Sequence, residues 1–240
     1  MMRLILITLL ALLPVRLAWA GDVTVAVASN FLTAAEAVVE AFEEESGHQV
    51  TLTHGSTGQI FAQVVSGAPF DVFLAADQKR PRELRLQGIA SARRTYAIGE
   101  LVLVSRDRID VDLAAEAFAG ERVALADPMV APYGLAATSS MESLDLNTAD
   151  FQPLLVSNVG QVATLFVTGN ADLAFVAQSL LPLIDAPFVT SMEGRHPPIR
   201  QDAVLMARAD GNEAAEAFWA YLFQDRARAI ITANGYSLPE

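Results

Sequence analysis

The sequence contains no cysteine and is poor in basic residues. Without cysteine the chain has neither a disulfide framework nor a site for lipid attachment, although an exported protein could use both. Its 16 Lys and Arg residues are outnumbered by 28 Asp and Glu residues, which gives a formal net charge of −12 at pH 7. Nucleic acid and anionic membrane surfaces are therefore poor partners for this chain.

The first 20 residues have the features of a secretory signal peptide. Arg3 precedes an apolar run over residues 4–15, and Ala18-Trp19-Ala20 ends the segment with small residues around a large one. The run is shorter than the roughly 20 residues of a permanent membrane span. A buried amino-terminal helix is the alternative, but no polar residue recurs there at helical spacing. We predict a soluble mature protein in the periplasm.

From residue 22 onward, short β-branched segments alternate with longer amphipathic ones. In the segment 32–45, Val38 and Phe42 belong to an apolar stripe at three- and four-residue spacing, and Gly47 follows as a helix stop. Such alternation predicts parallel sheets covered by helices. Predicted strands cover residues 23–28, 50–53, 72–75, 101–105, 123–126, 154–156, 173–176 and 203–207; predicted helices cover 32–45, 59–66, 113–118, 134–144, 159–167, 214–223 and 227–234.

These elements form two α/β units, and the last strand and helices are expected to return to the first unit. We predict a first lobe of residues 21–98 and 199–240 and a second lobe of residues 99–198, each with a mainly parallel sheet flanked by helices. Two chain crossings would then join the lobes, a geometry that permits closure around a ligand. Pro197 and Pro198 are consistent with one boundary, although proline pairs also mark ordinary loops.

Four turns between a strand and a helix are rich in small and neutral polar residues and contain no acidic side chain. In a doubly wound sheet such turns lie where ligands bind. Each opens a helix, whose first backbone N–H groups are unpaired and carry partial positive charge. Together they predict a site for an anion. The turns are Ser29-Asn30-Phe31, Gly55-Ser56-Thr57-Gly58, Ala131-Pro132-Tyr133-Gly134 and Ser157-Asn158-Val159-Gly160.

Each turn also has a simpler interpretation. Ser, Thr and Asn are the usual helix N-caps, so one such turn alone more often caps a helix than binds a ligand. The prediction depends on the set of four. The turn at residues 55–58 is not a nucleotide loop, because Gln59 stands where a phosphate-binding lysine would be needed.

The sequence has no pattern typical of an enzyme or a cation site. No G-x-S-x-G motif is present, and the three histidines share no ligand spacing. Asp71 and Asp77 flank a strand, but six strand residues span about 20 Å, too far for shared catalysis. We predict that they cap elements and contribute to domain contacts.

The same segments resemble the periplasmic molybdate-binding proteins of ABC transporters, over essentially the whole predicted mature chain. The resemblance is specific because several separated motifs occur in the family's order. The resembling segments are residues 25–31, 54–58, 67–73, 75–77, 127–134 and 158–160, with Ala233-Asn234-Gly235-Tyr236 near the end.

The resemblance implies a two-lobed periplasmic binding protein of type II, with the oxyanion held between the lobes by hydroxyls and backbone amides and without a countercharge. Val159 would contribute through its backbone N–H. By position, the ligand-binding residues would be Ser29, Asn30, Thr57, Tyr133 and Val159.

The chain departs from many members of that family at two places. Ala177-Gln178 occupies the region from which many members supply a tyrosine hydroxyl, and Tyr133 takes over that role in a branch with the sequence A-P-Y-G. Thr57 stands where many members have serine, which keeps the hydroxyl and adds a methyl group.

The function implied is binding of molybdate or tungstate, without a cofactor or enzymatic activity, and delivery to the membrane permease of an ABC transporter. The protein would act as a monomer, without binding nucleic acid or inserting into the membrane. Two alternatives remain: a binding protein for another oxyanion, such as sulfate or phosphate, and a secreted ester hydrolase on the same scaffold.

Overall fold

The computed structural model describes residues 21–110 and 113–240. The predicted signal peptide, residues 1–20, lies outside the described residues. Within the described ranges, no helix is both long enough and apolar enough to cross a membrane.

The chain forms two five-stranded sheets. The first sheet has the strand order β2-β1-β3-β10-β4 and the second the order β7-β6-β8-β5-β9. The strands are β1 (Asp22–Ala28), β2 (Gln49–Gly55), β3 (Val72–Leu74), β4 (Ala90–Gly99), β5 (Leu101–Ser105), β6 (Arg122–Ala126), β7 (Gln152–Val156), β8 (Leu173–Ala177), β9 (Phe188–Ser191) and β10 (Ile199–Met206).

The α-helices connect these strands and cover the sheets. They are α1 (Leu32–Ser46), α2 (Thr57–Val65), α3 (Lys79–Leu86), α4 (Ala114–Phe118), α5 (Pro132–Ser143), α6 (Val159–Val167), α7 (Glu213–Tyr221) and α8 (Asp225–Ala233). Short 3-10 helices cover Ser29–Phe31, Gln178–Leu183 and Ala207–Ala209.

In each sheet one strand runs against the rest. β10 is antiparallel to both β3 and β4, while β1, β2 and β3 pair in parallel. In the second sheet β5 is antiparallel to β8 and β9, while β6, β7 and β8 are mutually parallel. The predicted fold class, two mainly parallel sheets flanked by helices, is therefore confirmed.

Alternate side chains of β1 enter different packing clusters, which is why its second half, residues 25–28, is apolar at every position. Val25 and Val27 pack on the side of α1 and α7, whereas Ala26 packs on the side of α2 and α3. A strand buried on both faces loses the polar–apolar alternation of a half-exposed one. Helix α1 closes the first side with its predicted stripe, and Gly47 ends it in the left-handed region at φ 74°.

The sequence patterns did not predict helix α3 or strand β4. Helix α3 buries only Pro81 and Leu84, so its apolar period is too weak to detect. Strand β4 lies at the edge of the sheet and carries Arg93 and Arg94. The guanidinium of Arg94 covers the ring of Phe223 at 4.3 Å, so a charged residue does the packing that an apolar one would otherwise do.

The chain passes from the first sheet to the second between Gly99 and Leu101, and returns between Ser191 and Ile199. An isolated bridge between Ile98 and Ser237 ties the end of the chain to the first of these crossings. Both connections run side by side because β4 and β10 are paired along their length.

Candidate functional site

The four turns singled out in the sequence meet at one place between the two sheets. They surround a small cavity, whose volume of about 10 Å³ is far below the roughly 300–1,000 Å³ of pockets for drug-sized ligands. A small ion fits this space better than a nucleotide or a peptide. The lining residues are Ala28, Ser29, Asn30, Gly55, Ser56, Thr57, Ala76, Ala131, Pro132, Tyr133, Asn158 and Val159.

The first turn follows β1 and forms a buried 3-10 helix. Ser29 and Asn30 are 8% and 2% exposed. The side-chain amide of Asn30 donates to Gln201 Oε1 at 2.9 Å and to the Tyr236 hydroxyl at 3.0 Å. Asn30 therefore fixes the turn with its side chain, and its backbone N–H is the group left for a ligand.

The two hydroxyls of the second turn make different hydrogen bonds. Ser56 Oγ accepts from the backbone N–H of Gln59 in a capping box at the start of α2. Thr57 Oγ1 accepts from the backbone N–H of Ala76 at 3.1 Å. Because that bond uses a lone pair, the hydroxyl proton of Thr57 is still available to an acceptor in the cavity.

The third turn starts α5 with Pro132 in the first helical turn, a position that suits proline because no backbone donor is needed there. The next position requires glycine, because a Cβ on Gly134 would lie 2.1 Å from the carbonyl oxygen of Ala126. Tyr133 is 2% exposed, and its hydroxyl accepts from Gln201 Nε2 at 3.4 Å.

The fourth turn begins α6. Asn158 caps the helix by accepting from the backbone N–H of Gln161 at 3.0 Å. Gly160 faces Ser29 of the first sheet's turn, since a Cβ on Gly160 would lie 3.5 Å from Ser29 Cβ. The first and fourth turns are thus in near contact across the cleft.

Four backbone N–H groups at these helix starts have no acceptor among the residues that the structure describes. Positions in the first turn of a helix have no intrahelical partner, and no turn or side-chain oxygen replaces it here. Helix starts also carry partial positive charge. The arrangement can therefore hold an anion with neutral donors. The groups belong to Asn30, Thr57, Tyr133 and Val159.

The cleft is closed by contacts between the second turn and the segment that precedes α5. The backbone N–H of Gly58 donates to the carbonyl oxygen of Val130 at 2.8 Å. Beside it, the guanidinium of Arg80 donates to the carbonyl oxygen of Met129 at 2.8 Å and pairs with Asp77. Arg80 thus has both of its partners in the protein and is not a free countercharge for a ligand.

Sequence reasoning missed a buried polar cluster beneath the cavity. Gln201 on β10 is fully buried, and Oε1 of its side chain accepts from the hydroxyl of Tyr96 on β4 at 3.3 Å. The hydroxyl of Tyr236 donates to the backbone oxygen of Asn30 at 2.7 Å, and the hydroxyl of Ser179 donates to the same oxygen at 3.0 Å. The available signal was the polar run Arg200-Gln201-Asp202 directly before the apolar part of a strand.

No residue that lines the cavity carries a formal charge. Burial raises the pKa of the hydroxyls of Tyr96, Tyr133 and Tyr236 above the ordinary tyrosine value of 10.0, and the neighbouring tyrosines add to the effect at Tyr96 and Tyr133. All three therefore keep their protons at neutral pH and act as neutral donors.

These raised pKa values predict alkaline destabilisation. Unfolding restores an ordinary pKa near 10, so the stabilising effect of a protonated Tyr96 is present below pH 10 and is lost as pH rises above it. We expect the free energy of unfolding, measured in urea, to fall less steeply between pH 9.5 and 11 in Tyr96→Phe than in wild type. If the free energy of unfolding falls equally steeply with pH in both proteins, the alkaline loss of stability does not come from Tyr96.

The remaining candidates lie outside the cavity. Asp77 caps α3 by accepting from the backbone N–H of Arg80 at 3.1 Å, and Asp71 accepts from the backbone N–H of Thr24 at 2.9 Å and pairs with Arg208. Asp77 thus has the predicted capping role, and the bonds of Asp71 are structural, whereas a role of either residue in domain contacts stays a prediction. In the described ranges, no group of three or more His, Asp or Glu side chains is arranged to hold a metal ion.

Comparisons with known proteins agree with this geometry. A family model for bacterial extracellular solute-binding proteins matches residues 23–237. The chain is 38% identical to the molybdate-binding protein ModA of Azotobacter vinelandii, covering 92% of both chains. It is 39% identical to the molybdate-binding protein ModA of Rhodobacter capsulatus, covering 90% of this chain and 88% of the relative.

A solved structure shows the same relationship. The periplasmic molybdate-binding protein of Azotobacter vinelandii matches with a TM-score of 0.83 and 36% identity, over 91% of this chain and 100% of that chain. The resemblance indicated by the sequence motifs is thereby confirmed, and the chain belongs to the family of bacterial extracellular solute-binding proteins.

Proposed function

We propose that this protein binds molybdate outside the cytoplasm and delivers it to the membrane permease of an ABC transporter. The observation that carries the proposal is the uncharged cavity, where the N–H groups of four helix starts converge with the hydroxyls of Ser29 and Thr57. Relatives that cover most of the chain are molybdate-binding proteins. Transport rather than catalysis is the activity proposed.

The proposed ligand contacts are made by Ser29, Asn30, Thr57, Tyr133 and Val159. Asn30 and Val159 act through the backbone N–H, and Thr57 can use both its N–H and its hydroxyl. Hydrogen bonds to a charged group contribute about 1.5–3 kcal/mol each. Several of them are enough for submicromolar affinity after the costs of ordering and closure, since every 1.4 kcal/mol changes the affinity tenfold.

The donor set also selects the protonation state of the ligand. A fully deprotonated oxyanion accepts hydrogen bonds on every side, whereas hydrogen phosphate carries a proton that needs an acceptor. The cavity lining includes no carboxylate. Sulfate is also fully deprotonated, so the size of the cavity has to separate it from molybdate. Tungstate has nearly the size of molybdate and is proposed as a second ligand.

The proposed lobes are residues 21–98 with 199–240, and residues 99–198, which close around the ligand as a monomer. The proposed location is the periplasm, after cleavage of the signal peptide at residues 1–20. In this arrangement the ligand stabilises the closed form to the extent that it binds that form more tightly than the open one.

Ser29→Ala and Tyr133→Phe are each expected to weaken molybdate binding by about 10- to 100-fold, because each removes one hydrogen bond to a charged ligand. Isothermal titration of the mature protein with molybdate, tungstate, sulfate and phosphate at fixed pH and salt measures this effect. Molybdate and tungstate should bind tightly with a one-to-one stoichiometry.

Ser191→Ala and Tyr221→Phe are matched controls, because Ser191 is exposed on β9 and the hydroxyl of Tyr221 bonds to Glu45, at the opposite end of α1 from the Ser29-Asn30 turn. Their affinities should equal that of wild type. Wild-type affinity in both site variants would refute the placement of the site. Full displacement of molybdate by an equal concentration of sulfate would refute the assignment of molybdate as the ligand.

A further inference from the structure

The side chain of Gln201 joins the two sides of the cleft beneath the cavity. Oε1 of Gln201 accepts from Asn30 Nδ2 at 2.9 Å, and Nε2 of Gln201 donates to the hydroxyl of Tyr133 at 3.4 Å. Asn30 follows β1 of the first sheet, whereas Tyr133 belongs to α5 beside the second. Gly99 leaves room for this junction, because a Cβ there would lie 2.0 Å from the Tyr133 hydroxyl and 2.6 Å from Gln201 Nε2.

The direction of the hydrogen bond to Tyr133 is fixed by the other partners of Gln201. The amide of Asn30 donates to Oε1 of Gln201 at 2.9 Å and sets this orientation; the hydroxyl of Tyr96, which also lies 3.4 Å from the backbone oxygen of Ala75, donates to the same Oε1 at 3.3 Å. The carbonyl end of the Gln201 amide must therefore face these two donors, and the NH₂ end must face Tyr133. A glutamine turned the other way would place donor against donor in a fully buried position, at a cost that the fold avoids.

Tyr133 is consequently left with an unused proton. Its oxygen accepts from Gln201, and within the described ranges no protein acceptor receives its O–H. Its ring lines the cavity. A buried hydroxyl finds an acceptor, and the group next to it that can accept is a ligand oxyanion.

We propose that Gln201 is a positioning residue that makes the Tyr133 hydroxyl a hydrogen-bond donor to the ligand, and so selects fully deprotonated oxyanions over those that carry a proton. This inference rests on the proposed oxyanion-binding function. Burial keeps Tyr96, Tyr133 and Tyr236 protonated, so each of these hydroxyls retains a proton to donate at neutral pH.

Gln201→Glu is the most direct test, because it keeps the acceptor for Asn30 and Tyr96 and replaces only the NH₂ group by an acceptor. The Tyr133 hydroxyl should then donate to the new carboxylate and present a lone pair to the cavity. At pH 8 we expect molybdate affinity to fall about 100-fold or more, since a donor is lost and a like charge is added. The ratio of phosphate to molybdate affinity should rise.

A double-mutant cycle with Tyr133→Phe separates this mechanism from a general effect of charge or packing. If Gln201 acts through the Tyr133 hydroxyl, the fold loss of molybdate affinity caused by Gln201→Glu should be at least about 10 times smaller in the Tyr133→Phe background than in wild type. Equal penalties in the two backgrounds, with an unchanged phosphate-to-molybdate ratio, would overturn the proposal.

Gln201→Met provides the same cycle without a charge and keeps the volume of the side chain, should the glutamate variant fail to fold. Its penalty should likewise shrink in the Tyr133→Phe background, and additivity would again overturn the inference. Wild-type protein titrated in parallel distinguishes the two proposals. Absence of molybdate binding by wild type refutes the proposed function, whereas binding by wild type with additive variants refutes only the role of Gln201.

Discussion

Replacing Gly58 with alanine is expected to weaken molybdate binding by about 30- to 1,000-fold while the ligand-free protein stays folded. A Cβ at this position would lie 2.8 Å from the Cα of Val130 and 2.9 Å from its carbonyl oxygen. Both are backbone atoms, so no side-chain rotation relieves the contact. Gly58 and Val130 belong to opposite sides of the cleft, and under the proposed closure of the lobes only the closed form brings them together.

The expected size of the effect follows from two losses. Overpacking at a close contact costs about 1–3 kcal/mol. The hydrogen bond from the Gly58 N–H to Val130, now 2.8 Å long, is weakened or broken, which costs about 0.5–1.5 kcal/mol. Together they cost about 1.5–4.5 kcal/mol, and the middle of this range, about 2–4 kcal/mol, corresponds to the stated loss of affinity. Because the open form lacks the contact, dissociation should accelerate more than association slows.

Isothermal titration and stopped-flow dissociation of Gly58→Ala measure the effect. Alanine favours a helix over glycine, so the ligand-free variant should unfold at the same or a slightly higher temperature than wild type. Gln63→Ala in the exposed part of the same helix is the control and should bind normally. Wild-type affinity in Gly58→Ala would show that ligand binding does not require this contact between the lobes.

Ser29→Asp is expected to reduce molybdate affinity by at least about 1,000-fold at pH 8. Ser29 is 8% exposed, and the cavity that it lines contains no formal charge. Two like charges 4 Å apart repel by about 4 kcal/mol at an effective dielectric constant of 20, and a dianion doubles this value. The variant also exchanges a hydroxyl donor for an acceptor, which a deprotonated oxyanion cannot use.

The comparison with Ser29→Ala separates charge from the loss of a hydrogen bond, because the alanine variant should lose only about 10- to 100-fold. Ser191→Asp adds the same charge to an exposed strand and should bind as wild type does. Measurable molybdate binding by Ser29→Asp within tenfold of wild type would mean that the anion lies elsewhere in the molecule.

Most of the secondary structure was predictable because its causes are local. The apolar stripe and the glycine stop of α1 lie within 16 residues of sequence, and the strand segments are short runs of β-branched residues. Some observed boundaries differ from the predicted ones. Helix α5 begins at Pro132 rather than at residue 134, because proline fits the first helical turn. Helix α3 was missed because it buries only Pro81 and Leu84, and strand β4 was missed because charged residues interrupt its apolar pattern.

The candidate site was predictable as a set of turns and less so in its individual contacts. Sequence patterns identified the four turns because each combines a strand end, small neutral polar residues and a helix start. They could not show that Ser56 caps α2, or that the amide of Asn30 points to Gln201 and Tyr236. Those partners lie 171 and 206 positions away along the chain.

The sequence by itself therefore determined the α/β elements, the absence of charged groups from the four turns and the kind of ligand that such turns can hold, because backbone propensity and side-chain chemistry are properties of short segments. Only the tertiary structure decided which donors face the cavity, how Gly58 and Val130 close it and how Gln201 orients Tyr133. Those features depend on distances between residues that lie far apart in the sequence and on different sheets, and the spacing of residues along the chain does not reveal such distances.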